Sequence, residues 1–313
     1  MPDSTGAKAD YVDDASAPQP TFSETRPDYI FRKAVTHPSA RFGRPRQYEK
    51  QTSDGMSIER DVKVPVRGGV HVWCDIFKPE KDAGKLAPLI AWTVLSPNLI
   101  FLTLLAIRKT HTRFASRKFE LTVAPIGKLF PNSGVLPEHT SDYTAFEAPD
   151  PLYWTRHGYA VIVADCPGTW YGDGKVTYTS PEEAELFYDL IEWAGVQDWS
   201  SGLVGLSGVS YLALMQWRVA ELNPPHLGAI NPDEGAIPVL YAYAGWTDFY
   251  REVVYHGGIP DSSFFPRLIG RWGSSTQEIE DLEMEAKVHP FFDAFWESKR
   301  AQLGRIVNVF RLI

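Results

Sequence analysis

An α/β chain organised on a doubly wound parallel sheet is the architecture that three observations predict. Two continuous apolar runs of strand length, Leu89–Leu95 and Tyr159–Ala164, carry the residues of strands buried on both faces. Helical patterns alternate with these strands over short connections, the arrangement that returns each strand parallel to the last. After them stands the stretch Leu203–Trp217, a short buried strand, a glycine-flanked serine and an apolar helix.

Taken in order, residues 1–50 mix Pro, Ser, Asp, Lys and Arg with little periodic apolar content, and are expected to be disordered or to drape over the domain, anchored by Tyr29, Ile30 and Phe31. Ordered structure is expected from Ile58. Val62, Val64 and Val66 alternate, Gly68-Gly69 offers a two-residue turn, and Val70, Val72, Cys74 and Ile76 alternate again, which predicts an antiparallel hairpin closed by Pro79. Pro88 introduces the first buried parallel strand. The stretch 96–136 that follows has an apolar knot and a basic cluster (Arg108, Lys109, Arg113, Arg117, Lys118) without a clean period, and the cluster reads as a solvated face.

The strand Tyr159–Ala164 leads into a loop from Asp165 to Gly174. A helix follows, with Ser180 as N-cap, Pro181 at its first position, Glu183 completing a capping box, Ala184, Phe187, Ile191 and Ala194 inward, and Gly195 at its end. The helix after the glycine-flanked serine turns Leu212, Met215, Val219 and Leu222 inward and stops at Asn223-Pro224-Pro225; Leu227–Ile230 is one more short strand. Beyond Asp248 the sequence becomes aromatic and helical without strand signals, the start of a helical cap. The expected division is residues 1–50, a sheet domain over 51–245 and a partial cap over 246–313.

The chain's 313 residues, 44% of them hydrophobic and 10 of them tryptophan, can bury a substantial core. A net charge of −8 without a basic run argues against nucleic acid or an anionic membrane as partner. The apolar run Leu99–Ile107 falls well short of the ~20 residues of a spanning helix. Cys74 and Cys166 are too few for a disulfide framework, and the start Met1-Pro2-Asp3-Ser4 has neither a basic n-region nor an apolar h-region, so a cytoplasmic location is expected.

Chemistry concentrates at Gly208-Val209-Ser210-Tyr211-Leu212, which reads as a nucleophile elbow. A serine hydroxyl attacks only when a base takes its proton. A sharp strand-to-helix turn lifts Oγ clear of the sheet and aims the first N–H groups of the helix at the developing oxyanion. Ser210 is then the nucleophile and the Tyr211 N–H the first oxyanion donor, although Leu212 stands where the G-x-S-x-G pattern has glycine. Ser207, in Gly205-Leu206-Ser207-Gly208-Val209, is a rival nucleophile with a β-branched fifth residue. A glycine-rich phosphate loop and a tight turn without chemistry are the other readings, the former lacking the third glycine of a dinucleotide fingerprint. As acid or base, Asp233 and Glu234 follow the next strand, and His226 and His256 are the nearest downstream histidines; both histidines read better as structural.

These residues resemble the cocaine-esterase-like CocE/NonD hydrolases, related to X-Pro dipeptidyl-peptidases and α-amino-acid ester hydrolases. The resemblance rests on Phe146–Pro151, Ser180–Ala184, Asp189–Ala194, Gly205–Ala213, Gly245–Glu252 and His256-Gly257-Gly258. It implies an α/β-hydrolase fold, a nucleophile at Ser210 and an oxyanion N–H at Tyr211, with no metal or organic cofactor. It further implies a tyrosine after the first parallel strand, where this chain has Asn98, and a triad Asp and His on later strands, for which no residue of this chain is found. Residues 96–118 and 236–244 depart from the family pattern as apparent insertions. The sheet is therefore expected to be incomplete at its C-terminal side and to self-associate through a bare edge. The leading function is a serine hydrolase of small acyl esters or amides with impaired activity; the alternatives are a non-catalytic hydrolase-like binding protein and a nucleotide-binding domain.

Overall fold

The computed structural model describes residues 26–33, 46–81, 83–94, 139–145, 147–169, 172–233, 247–261 and 278–307. In chain order its strands and helices are β1 (Phe31–Lys33), β2 (Glu49–Ser53), β3 (Met56–Pro65), β4 (His71–Pro79), β5 (Ala87–Thr93), α1 (Pro151–Arg156), β6 (Tyr159–Asp165), α2 (Pro181–Gly195), β7 (Val204–Val209), α3 (Tyr211–Ala220), β8 (Leu227–Asp233), β9 (Tyr255–His256), β10 (Ile259–Pro260), β11 (Glu278–Glu280), α4 (Leu282–Val288) and α5 (Ala294–Ser298).

One seven-stranded sheet runs β2-β3-β4-β6-β5-β7-β8. The β2-β3-β4 meander is antiparallel, and β6, β5, β7 and β8 are parallel to one another. The apolar runs became the central strands for the reason they were apolar. Ile90, Trp92, Ile162 and Ala164 lie in the main buried cluster, which extends to Phe187 and Ile191 of α2 and to Met215 and Val219 of α3. Trp92 stacks on Phe187 at 4.5 Å.

Several expectations need correction. Strands begin before Ile58, at β1 and β2; both are short, and β2 is almost wholly polar, so each exists through its partner rather than through an apolar period. The β3-β4 link is not a two-residue turn: Pro65 pairs with His71, and the chain passes through a 3₁₀ turn at Arg67–Gly69. Helix α1 was not anticipated, although Asp150-Pro151 is a start signal; the Asp150 carboxylate accepts the Tyr153 N–H at 2.6 Å. The segment after Asp248 is not purely helical. It holds the hairpin β9-β10 and the strand β11, which pairs with β1. β8 runs on to Asp233, three residues beyond Ile230.

The anchoring of Tyr29, Ile30 and Phe31 is observed. Tyr29 Oη donates to Glu182 at 2.7 Å, its ring meets Phe295 edge-on, and the Ile30 N–H donates to Glu285. Under this strap lies a fully buried ion pair, Lys299 with Glu280 at 2.7 Å, whose two partners also take the carbonyl and the N–H of Tyr178. These added bonds offset part of the cost of burying the charges, and removing one member would strand the other. The apolar knot, the basic cluster, Asn98, Glu234 and residues 236–244 lie outside the described residues.

Candidate active site

Ser210 sits alone between β7 and α3. Strand pairing ends at Val209, in register with Asp233, and the helix begins at Tyr211. The serine takes φ 61° and ψ −121°, a conformation that costs a non-glycine residue about 1–3 kcal/mol and persists only where the surroundings impose it. They impose it from two sides. Gly208 holds φ +153°, and a Cβ there would meet Leu212 Cβ at 2.5 Å, so the returning helix packs directly on bare backbone. Leu212 therefore occupies the fifth position of the pattern without harm, because the close approach is made at Gly208. The Ser210 carbonyl accepts from the N–H groups of Ala213 and Leu214, both at 3.0 Å, and so opens the helix.

The rival readings separate on the same geometry. Ser207 lies inside β7, paired with Asn231, and not on the turn. A phosphate cradle needs several loop residues with converging N–H groups, whereas a single residue divides strand from helix here. The Ser210 hydroxyl makes no side-chain cap and has no hydrogen-bond partner among the described residues.

His226 lies at the other end of the strand. Its carbonyl accepts from the Val204 N–H at 2.8 Å, six residues before Ser210, which places it ~20 Å from the serine at ~3.3 Å per residue. There its Nδ1 faces the Glu192 carboxylate at 2.7 Å, and its ring lies against Gly195. His256 is exposed on the β9-β10 hairpin. A histidine that sequence reasoning passed over, His71, does stand at the serine's end of the sheet, paired with Asp173 at 2.7 Å. Three strand positions separate β4 from β7, however, or ~14 Å at ~4.8 Å per strand. His289 is held in the cap-like segment between Asp293 and a stack on Phe295. Among the described residues no histidine is hydrogen-bonded to Ser210. Asp233 closes β8 next to Val209.

Two carboxyl groups at the elbow were not read from sequence as part of the site. Glu147, at φ 63°, accepts the Val209 N–H on its carbonyl at 3.0 Å and so lies against the residue before the nucleophile. Its Oε2 is sealed from solvent without a hydrogen-bond partner among the described residues, and burial pushes its carboxyl up to about 8. The second, Glu183, lies beneath the elbow. Its carboxylate accepts from Tyr211 Oη at 2.6 Å, Trp92 Nε1 at 3.0 Å and the Thr179 N–H at 2.9 Å, with the Cys166 thiol as a further partner. Ser180 accepts the Glu183 N–H at 3.0 Å, so the capping box forms, but its return bond goes to Thr179 rather than to Ser180. Burial raises the Glu183 carboxyl and these donors hold it down, with burial the larger effect.

Known proteins point the same way as this geometry. The family described as X-Pro dipeptidyl-peptidase (S15 family) matches residues 68–287. A cocaine esterase of Rhodococcus sp. (strain MB1 Bresler) is 25% identical over 178 residues, 56% of this chain and 23% of that protein. The Xaa-Pro dipeptidyl-peptidase of Lacticaseibacillus casei (strain BL23) is 33% identical over 124 residues, 34% of this chain and 15% of that protein. A solved CocE/NonD family hydrolase from Staphylococcus aureus superposes with a TM-score of 0.63 at 36% identity, over 80% of this chain and 39% of that one. The chain thus spans less than a quarter of the length of these two curated relatives.

Proposed function

The chain belongs to the S15 family of X-Pro dipeptidyl-peptidases, and on that premise we propose that it is a serine hydrolase of acyl esters or amides that works through an acyl-enzyme at Ser210. The observation that carries this reading is the strained Ser210 backbone between β7 and α3, a conformation that a turn without chemistry has no need to hold. Ser210 Oγ bonds to the acyl carbon as its proton passes to a base. The carbonyl oxygen gains the negative charge and is received by the Tyr211 N–H, which as a first-turn helix N–H has no intrahelical acceptor. Collapse expels the alkoxide or amine, which takes a proton, and water then releases the acyl group. The names of the relatives, an esterase and dipeptidyl-peptidases, support the substrate class.

No described histidine is hydrogen-bonded to Ser210 and His226 stands at the far end of β7, so we infer that the chain turns over simple esters well below the ~1 to 10³ per second of ordinary enzymes. Covalent labelling by a fluorophosphonate probe tests the nucleophile directly. Labelling of the parent with none in Ser210→Ala supports the assignment, and labelling that survives the substitution overturns it.

The same reading extends to compartment and association. Cys74 and Cys166 are free and buried, which suits a reducing cytoplasm. Among the described residues no helix is long and apolar enough to cross a membrane. β8 pairs only with β7 among the described residues and carries Pro232, a residue suited to an edge strand, and we place self-association at this edge. Sedimentation showing a monomer at all concentrations would remove that proposal.

A further inference from the structure

The elbow's strain has to be held by something, and the structure shows what holds it. Rotation about Ser210 ψ and Tyr211 φ would swing the peptide between the two residues and carry the Tyr211 N–H away from the oxyanion. Tyr211 resists through the far end of its side chain. Its hydroxyl donates to Glu183 at 2.6 Å and accepts the Thr179 N–H at 3.0 Å, and both side chains are almost wholly buried. A phenol fixed at its tip fixes the ring, and the ring fixes the first residue of α3.

We propose that Glu183 is a positioning residue for acyl transfer, its carboxylate clamping the Tyr211 phenol so that the Tyr211 N–H stays aimed at the oxyanion. This rests on the assignment of Ser210 and Tyr211 given above. Glu183 is itself pinned from three elements besides α3: Trp92 on β5, the Thr179 N–H before α2, and Cys166 after β6. Thr179 is held in turn by Arg218, whose Nε donates to the Thr179 carbonyl at 3.1 Å while its other nitrogens reach the carbonyls of Ser298 and Arg300. A capping box needs only one carboxylate bond to a backbone N–H. The bonds from Tyr211 and Trp92 exceed that need.

The test is the concentration dependence of fluorophosphonate labelling for the parent, Ser210→Ala, Glu183→Gln, Tyr211→Phe and the double variant Glu183→Gln/Tyr211→Phe, with unfolding followed on each. Tyr211→Phe should lower the labelling rate constant at saturating probe about 10-fold and Glu183→Gln about 10- to 100-fold, up to the ~10²-fold of a displaced group and below the ~10²- to 10³-fold of an oxyanion donor lost outright, with the half-saturating probe concentration little changed. The double variant should be no slower than Glu183→Gln alone, because both substitutions break one clamp. A merely structural Glu183 would reduce the fraction of chain that labels and leave the rate constant of the folded fraction intact; that result overturns the proposal. Should Glu183→Gln fail to fold, Tyr211→Phe decides alone. Labelling that persists in Ser210→Ala, or no labelling of the parent, removes the underlying assignment and this inference with it. A silent Ser210→Ala beside unaltered Glu183→Gln and Tyr211→Phe sinks the inference only.

Discussion

The two ends of β7 carry similar chemistry arranged to opposite effect. At its amino end His226 and Glu192 form a histidine–carboxylate pair, with the His226 N–H also donating to Glu192 at 3.0 Å and the ring seated on Gly195. Its hydrogen bonding is closed within the pair. At its carboxyl end the backbone is strained at Ser210, and among the described residues the serine hydroxyl has no partner and the sealed-in Glu147 carboxyl has one oxygen unpartnered. In the layer beneath, both oxygens of the Glu183 carboxylate are bonded, one to Trp92 and the other to Tyr211 and the Thr179 N–H. Folding favours satisfied groups, so an end that keeps strain and unpaired polar atoms above a fully bonded carboxylate is where function is to be sought. A histidine beside a carboxylate, by contrast, says nothing about catalysis until its place along the strand is known.

The strongest way to break this contrast is at the serine. Ser210→Ala should abolish probe labelling while leaving the unfolding midpoint within experimental scatter, since it removes one small hydroxyl that no described residue uses. A large loss of stability would mean that the hydroxyl is structural. Next comes the glycine that admits α3: Gly208→Ala places a methyl 2.5 Å from Leu212 Cβ at φ +153°, and should cost about 4 kcal/mol in denaturant unfolding.

The orphaned carboxyl offers a sharper probe of the same end. Burial pushes Glu147 up to about 8 from an ordinary value of 4.5, so between these values the folded chain keeps a proton that the unfolded chain releases. Its contribution to stability is full below the lower value and is lost as pH rises through the upper one. Glu147→Gln, which mimics the protonated form, should match the parent near pH 4 and exceed it by up to about 4–5 kcal/mol near pH 8.5. Unfolding curves that run parallel for the two proteins across that range would show that the carboxyl is solvated.

Much of the carboxyl end was legible in the sequence, because what places it is local. Apolar runs announce buried strands, a serine before a proline announces a helix start, and Gly208-Val209-Ser210-Tyr211 announces the turn between them. β1, β2 and β11 were not legible. They are short and largely polar, and owe their conformation to partners distant in the chain, Phe31 with Glu280 for example. Glu183 was read for its capping role, which is a matter of spacing, but its bond to Tyr211 depends on α2 and α3 packing side by side, and no period within either helix reports that. Glu147 was visible only as part of a resemblance.

His226 gives the smallest effect and tests the contrast from the other side. Sequence offered it as the nearest histidine downstream of Ser210; the strand places it ~20 Å away at the amino end. Its side chain is 30% exposed and its partner Glu192 6%, so the pair is partly screened by solvent. His226→Ala should therefore cost about 1 kcal/mol, part of it the lost bond and part the bared surface of Gly195, while the backbone N–H still donates to Glu192. The rate constant for labelling Ser210 should not change. Slower labelling at unaltered stability would mean that the histidine acts at the nucleophile after all, and the placement of function at one end of β7 would fail with that single measurement.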